Sequence, residues 1–248
     1  MPIRLSEIST RAPKNIDKEA TKAKMAGLLD QLDELQNLLY ASAKHAILVI
    51  IQGMDASGKD GAIKHVFGPL NPLGVSAKAF KAPTEEELAH DFLWRIHKCV
   101  PAKGMMQIFN RSQYEDVLIT RVHHWIDDAT VHKRMKEINH FESLLQDSGN
   151  TVILKFYLHI SKERQTERLN ERLTDNRKFW KSNPNDFKEA ELWDEYMKAY
   201  EDCFEHCDNP PWIIVPADQN WYKEYVIAST MVDTLSKLNM QYPALKKE

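Results

Sequence analysis

The sequence has only three cysteines, Cys99, Cys203 and Cys207, an odd number and too few for a disulfide framework. Such usage fits a reducing compartment. Cys203 and Cys207 flank His206 in a CxxxC spacing, but no second Cys or His pair lies at zinc-finger spacing, so ordinary helix positions are expected there. No apolar run approaches the roughly 20 residues that span a bilayer, and the opening stretch MPIRLSEIST lacks the apolar centre of a signal peptide. A cytoplasmic protein without a membrane partner is expected. Charge of either sign is nearly balanced, with 33 Lys and Arg against 36 Asp and Glu, so no global field draws the chain to nucleic acid. Any anion-binding surface must be local. Glycine is scarce as well, eight in 248 residues, and there is no repeat, low-complexity tract or flexible linker. One domain over 1–248 is expected.

What is present is a series of short apolar runs bounded by polar or turn residues: AILVII at 46–51, VSAKAF at 75–80, MMQIF at 105–109, TVILKFYLHI at 151–160 and WIIV at 212–215. Strands buried on both faces need not alternate. Helical spacing lies between them, at 84–99, where Thr84 and Glu87 stand in capping-box register, and at 130–147. This βαβα order predicts a doubly wound, mostly parallel five-stranded sheet with its site at the carboxyl ends of the strands. Residues 1–43 read as a helical extension, with Leu28, Leu29, Leu32, Leu35, Leu38 and Leu39 near helical spacing over 18–43.

Three of the eight glycines fall in GMDASGKDG at 53–61, directly after the most apolar strand. A strand that turns at Gly53 and enters a helix near Lys59 aims backbone N–H groups at one point, which suits a phosphate. Gly53, Met54, Ala56, Ser57, Gly58, Lys59 and Asp60 are thus the expected phosphate-binding loop, with Lys59 supplying a mobile cation for the outer phosphates. Asp60 stands where the usual pattern has a metal-binding Ser or Thr, and a carboxylate there would face the phosphates too. Asp55 is the better metal candidate. After the third strand comes Asn110, whose amide oxygen can meet magnesium or its water, and then Arg111, a planar fork for phosphate oxygens. Ser112 and Glu115 stand in capping-box spacing, and Glu115 is a second candidate at metal or acceptor.

The segment SKERQTERLNERLTDNRKFWK at 161–181 carries Arg164, Arg168 and Arg172 on one helical stripe with Glu163, Glu167 and Glu171 beside it. Arg177, Lys178 and Lys181 follow. A basic helical hairpin after the fourth strand, about 161–200, reads as a lid that closes over phosphates.

In this order, GMDASGKDG, APTEEELAHDFLWRIH at 82–97, IFNRSQYEDVL at 108–118, RLNERLTDNRKFWK with Asp186, and WDEYMKAYE make the chain resemble the polyphosphate kinase 2 family over most of its length. The resemblance implies a three-layer α/β/α fold like that of thymidylate kinase, a P-loop kinase-like fold with a helical lid. It implies transfer of a phosphoryl group from inorganic polyphosphate to nucleoside diphosphates and monophosphates, with Mg2+, or Mn2+ in its place, and a homo-oligomer, dimer or tetramer. It carries roles to Asp55 and Lys59 in the loop, Arg111 after the third strand, and Arg172 and Asp186 in the lid region. Many members have Asp where this chain has Asn110, which suggests the branch that takes both AMP and ADP. Arg168, Lys178 and Lys181 complete the expected phosphate-binding set. An ATP-dependent nucleoside monophosphate kinase and a non-catalytic nucleotide-binding P-loop protein are the rivals.

Overall fold

The computed structural model describes residues 3–245. Five strands, β1 (Ala46–Gln52), β2 (Val75–Ala79), β3 (Met106–Asn110), β4 (Thr151–His159) and β5 (Trp212–Pro216), form one wholly parallel sheet in the order β2-β3-β1-β4-β5. Every residue of β1 is buried, as expected of a central strand covered on both faces. The chain leaves β1 toward β2 and β3 on one side and β4 and β5 on the other. The reversal of strand order beside β1 opens a crevice at its carboxyl end.

Among the described residues ten α-helices precede, connect or follow the strands: α1 (Lys18–Ser42), α2 (Lys59–Ala62), α3 (Glu85–Leu88), α4 (Trp94–His97), α5 (Ile119–Val122), α6 (Asp128–Gly149), α7 (Lys162–Thr174), α8 (Pro184–Glu191), α9 (Trp193–His206) and α10 (Asn220–Ser236). One group, α1, α2 and α10, packs together along the sheet, while α5, α6 and α9 form another. The α1 face against α10 buries Leu32, Gln36 and Leu39 and half-buries Leu28, Leu29, Leu35 and Leu38. No described helix is long and apolar enough to cross a membrane.

Two expectations about helices are corrected. Residues 84–99 form two separate turns, α3 and α4, although the Thr84–Glu87 capping box is present at the start of α3. Within that stretch only Arg95 and Ile96 are buried, so no continuous apolar face holds a long helix together. The Asp91 carboxylate accepts the Leu93 N–H at 3.0 Å and starts the chain afresh. Ser112 and Glu115 form no capping box either. The Ser112 hydroxyl accepts the Tyr114 N–H, in a 3-10 turn at Gln113–Asp116, while the Glu115 carboxylate turns to Arg111.

The core contains one ionic network. Lys155 of β4 donates to Glu142 at 2.8 Å, to the Tyr114 hydroxyl at 2.9 Å and to the Cys207 carbonyl at 2.9 Å. Both ionic side chains are fully buried. Gln113 and Tyr114 also donate to Glu142, each at 2.9 Å. Burial pushes the Glu142 carboxyl up, against the pull of Lys155. Removing one partner strands the other, so Lys155→Met is expected to cost about 3–5 kcal/mol in urea unfolding, and adding Glu142→Leu should recover much of it. Equal losses in the single and double variants would contradict this.

Before α1, the chain crosses the end of the sheet that carries the site. The Leu5 N–H donates to Glu201 at 2.8 Å, the Thr10 hydroxyl to Asp218 at 2.8 Å, and the Ala12 N–H to Gln219 at 2.8 Å. Asp218 also accepts the Ser161 N–H at 2.8 Å, so this segment braces the start of α7.

Candidate active site

The loop from Gly53 to Gly58 joins β1 to α2. Gly53 has φ 148°, and a Cβ there would sit 2.9 Å from the Leu158 carbonyl oxygen and 2.9 Å from Ser57 Oγ. At Gly58, φ 96°, a Cβ would lie 2.5 Å from Lys223 Nζ. These positions therefore require glycine. Met54 is buried and contributes its carbonyl; Ala56 holds a left-handed φ of 61°. Ser57 is fully buried, and its hydroxyl has no hydrogen-bond partner among the described residues.

Lys59 is 7% exposed and donates to the Gly53 and Met54 carbonyls at 2.7 and 3.0 Å. Burial, followed by the charge of Arg111, lowers its pKa to about 8, against the pull of Asp55. A lysine with a lowered pKa is charged below that value and neutral above it. Raising pH from about 7 to 9 is therefore expected to raise KM for an anionic phosphate chain more than it lowers kcat, because bound phosphate restores the charge. Initial rates across pH test this; a flat KM would contradict it.

Arg111 connects the two sides of the crevice. It follows β3 with φ 62°, a strained conformation for a non-glycine residue. Its N–H donates to the Ile51 carbonyl at 3.1 Å. Its guanidinium grips Asp55 through one nitrogen and Glu115 through the other, the latter at 2.9 Å. Burial opposes ionisation of Asp55, but Arg111, Lys59 and Arg172 outweigh it and hold the carboxyl below its usual range. Arg172 of α7 pairs with Asp186 and donates to the Lys181 carbonyl at 3.3 Å. Asp186 is pushed up by burial and by the like charge of Asp55, despite Arg172. Asp55, Glu115 and Asp186 thus crowd one region around two guanidinium groups.

Asp60 lies on the rim, 62% exposed, where it accepts from Asn110 Nδ2 at 2.9 Å and from Lys181 Nζ at 2.7 Å. Its partners are β3 and the lid, and it stays on the wall of the cavity. With its nitrogen turned to Asp60, the Asn110 amide keeps its carbonyl oxygen as the acceptor for a cation or its water. Arg168 also differs from a free phosphate ligand. One nitrogen donates to the Ala56 and Ser57 carbonyls, each at 3.0 Å, and the other to Ala217 and Asp218 carbonyls and Asn220 Oδ1 at 3.0, 3.3 and 3.0 Å. It ties α7 to the outside of the loop and to β5. Lys178 pairs with Glu171 at 2.7 Å.

One open cavity of about 530 Å³ carries on its wall nine lysines and arginines against Asp55, Asp60 and Glu171, with Asn110 beside them; Glu115 and Asp186 pair with its arginines but do not line it. Three of those cations were not singled out from the sequence as site residues: Lys81, just past β2, Arg164, and Lys223 of α10. Lys223 is 1% exposed and donates to the Gly58 carbonyl at 3.1 Å. Its position after the fifth strand, in PADQNWYK, is the signal that strand-end logic offers.

The model of the polyphosphate kinase 2 family matches residues 15–243. The chain belongs to the polyphosphate kinase 2 family. It is 47% identical over 228 residues to the AMP/ADP-polyphosphate phosphotransferase of Meiothermus ruber, covering 91% of this chain and 85% of that one. It is 41% identical over 229 residues to the ADP-polyphosphate phosphotransferase of Rhodopseudomonas palustris, covering 87% and 79%. The crystal structure of polyphosphate kinase 2 from Arthrobacter aurescens superposes with a TM-score of 0.94 at 41% identity, over 99% of this chain and 89% of that one. Membership in the polyphosphate kinase 2 family accords with the parallel sheet and the phosphate loop described above.

Proposed function

We propose that this chain transfers the terminal phosphoryl group of inorganic polyphosphate to ADP and to AMP, reversibly. The observation that carries the reading is the cationic surplus of the cavity, which runs from Lys59 across Arg111 and Arg172 to the lid lysines. A polyphosphate carries roughly one negative charge per phosphate and needs such a line of cations. In the transfer an acceptor phosphate oxygen attacks the terminal phosphorus, and the phosphoanhydride bond to the rest of the chain breaks. The polymer leaves one unit shorter. No nucleophilic side chain is needed; positioning and charge neutralisation by Lys59, Arg111 and Arg172 lower the barrier.

The donor set fits a hard divalent cation. Asp55 and the Asn110 oxygen are oxygen donors on the cavity wall, and Arg111 and Arg172 hold the Glu115 and Asp186 carboxylates nearby. We assign Asp55 and Asn110 to Mg2+, or to Mn2+ in its place, with Glu115 adjoining. Bound magnesium would neutralise charge on the transferring and bridging oxygens. Arg111 keeps Asp55 ionised and aimed, and Gln165 supports it by donating to the Asp55 carbonyl at 3.0 Å. Free thiols at Cys99, Cys203 and Cys207 suit the cytoplasm, where we place the enzyme. A homo-oligomer, dimer or tetramer, is the state expected of a family member.

We treat α7, the turn at 176–181 and α8 as the moving lid, with Lys181–Asp60 as its clasp to the loop. Lys181→Ala should raise KM for polyphosphate several-fold while thermal stability stays within about 1 kcal/mol, since the pair is solvent-exposed. An unchanged KM would remove the clasp. The acceptor range is tested by incubating the enzyme with Mg2+, polyphosphate and either ADP or AMP and resolving the nucleotides. ATP from ADP and ADP from AMP are expected; no product from either would overturn the reading.

A further inference from the structure

We propose that His132, Asp202 and His206 form a site for a transition-metal dication with zinc-like ligand preference, sharing no residue with the wall of the phosphate cavity. Asp202 and His206 are one turn apart on α9, so their side chains share a face, and His132 reaches them from α6. The three ligand atoms lie within 4.8 Å of one another. His132 Nε2 is 3.7 Å from Asp202 Oδ2, and His206 Nδ1 is 3.8 Å from Asp202 Oδ1. A tetrahedral ion at the usual zinc–ligand lengths holds neighbouring ligand atoms roughly 3.4 Å apart, so small side-chain rotations suffice. The imidazole centroids stand 5.2 Å apart and the rings are tilted by 35°.

The surroundings hold the three ligands in place. Arg121 donates to Asp202 Oδ2 at 2.5 Å and to Asp128 at 2.9 Å, which fixes the carboxylate and leaves Oδ1 toward His206. It thereby acts as the supporting partner that ligating carboxylates commonly have. His206 lies in the last turn of α9, where the carbonyl end of a helix attracts positive charge. Asn139 of α6 donates to the His206 carbonyl at 2.7 Å, holding the two helices in register. The His132 and His206 side chains are each about two-fifths exposed, so solvent reaches the site directly, and Asp202 also borders a solvent-open cavity of about 1000 Å³. Two imidazoles and one carboxylate with an open fourth position suit zinc, copper or nickel, not magnesium, which prefers oxygen throughout. Such an ion would link α6 to α9. Because the Tyr196 hydroxyl of α9 donates to Glu189 of α8 at 2.5 Å, the link would brace the base of the lid.

The probe is ZnCl2, titrated calorimetrically into the whole chain in excess MgCl2, which competes at sites made only of oxygen donors. One equivalent of zinc is expected, binding at least tenfold more weakly in His132→Gln and in His206→Gln. Lys59→Met, which alters the other cavity, should bind zinc as the wild type does. Cobalt(II) should give visible bands of a low-symmetry site in the wild type that both histidine variants lose. Should a variant fail to fold, the His132 and His206 imidazole resonances of the wild type on zinc addition decide: shifts at both support the site. No saturable zinc in excess magnesium, zinc binding untouched by both substitutions, or imidazole resonances that stay in place would overturn it.

Discussion

Lys59→Met is expected to lower kcat/KM for polyphosphate-dependent transfer by about a thousandfold, the scale on which removal of one preorganised charge from a transition state is felt. The side chain keeps its length and loses only the ammonium. That ammonium rests on the Gly53 and Met54 carbonyls, so it lies at the mouth of the loop and needs only a short swing to reach an outer phosphate. Because burial already disfavours its charge, the variant should unfold at no lower urea concentration than the wild type. A variant within tenfold of wild-type activity would place the transferring phosphate elsewhere.

Arg111→Ala is expected to cost at least as much, about three to five orders of magnitude in kcat, the range seen when an arginine that stabilises phosphoryl-transfer charge is removed. Two effects combine. The guanidinium is lost to the substrate, and Asp55 and Glu115 lose their common partner. With Arg111 gone, the largest pull that keeps Asp55 ionised disappears, so its pKa rises. The acid limb of the pH–rate profile should therefore move to higher pH. Arg111→Lys should restore little, because an ammonium is a point charge that cannot hold Asp55 and Glu115 through two separate nitrogens. Near-complete rescue by lysine, or an acid limb that stays in place, would show that Arg111 acts through charge alone or not on Asp55.

The centre of the sheet was legible in the sequence because β1 and β4 are buried almost throughout, whereas the edge strand β2 is largely exposed. AILVII at 46–51 becomes β1 at Ala46–Gln52, and TVILKFYLHI at 151–160 becomes β4 at Thr151–His159, since no polar face interrupts either run. The loop was legible for a similar reason: glycines at Gly53 and Gly58 stand where a Cβ would collide with neighbouring atoms. What the sequence hid depends on tertiary distance. Arg168 and Arg172 share a stripe on α7, yet Arg168 is committed to backbone carbonyls around the loop while Arg172 faces the crevice carboxylates. Spacing of four cannot distinguish them. Asp60 seemed an anomaly within the loop until its partners, Asn110 from β3 and Lys181 from the lid, were both visible. The brace formed by Leu5, Thr10 and Ala12 rests on contacts with Glu201, Asp218 and Gln219, some two hundred residues away, and no local pattern announces it.

The Mg2+ assignment rests on the same crowding. Asp55, Glu115 and Asp186 gather oxygen donors around Arg111 and Arg172, and burial, then the like charge of Asp55, pushes Asp186 up. In that proposal Asn110 would supply an oxygen without a charge, so the field at the metal would be weaker than an aspartate would make it.

The most direct measurement is a donor exchange. The enzyme is incubated with Mg2+ and AMP, supplied with either long-chain polyphosphate or ATP as the sole donor, and the nucleotides are resolved over time. The account expects ADP, followed by ATP, with polyphosphate, and much slower turnover with ATP. Rapid transfer from ATP with none from polyphosphate would contradict it and make the chain a nucleoside monophosphate kinase.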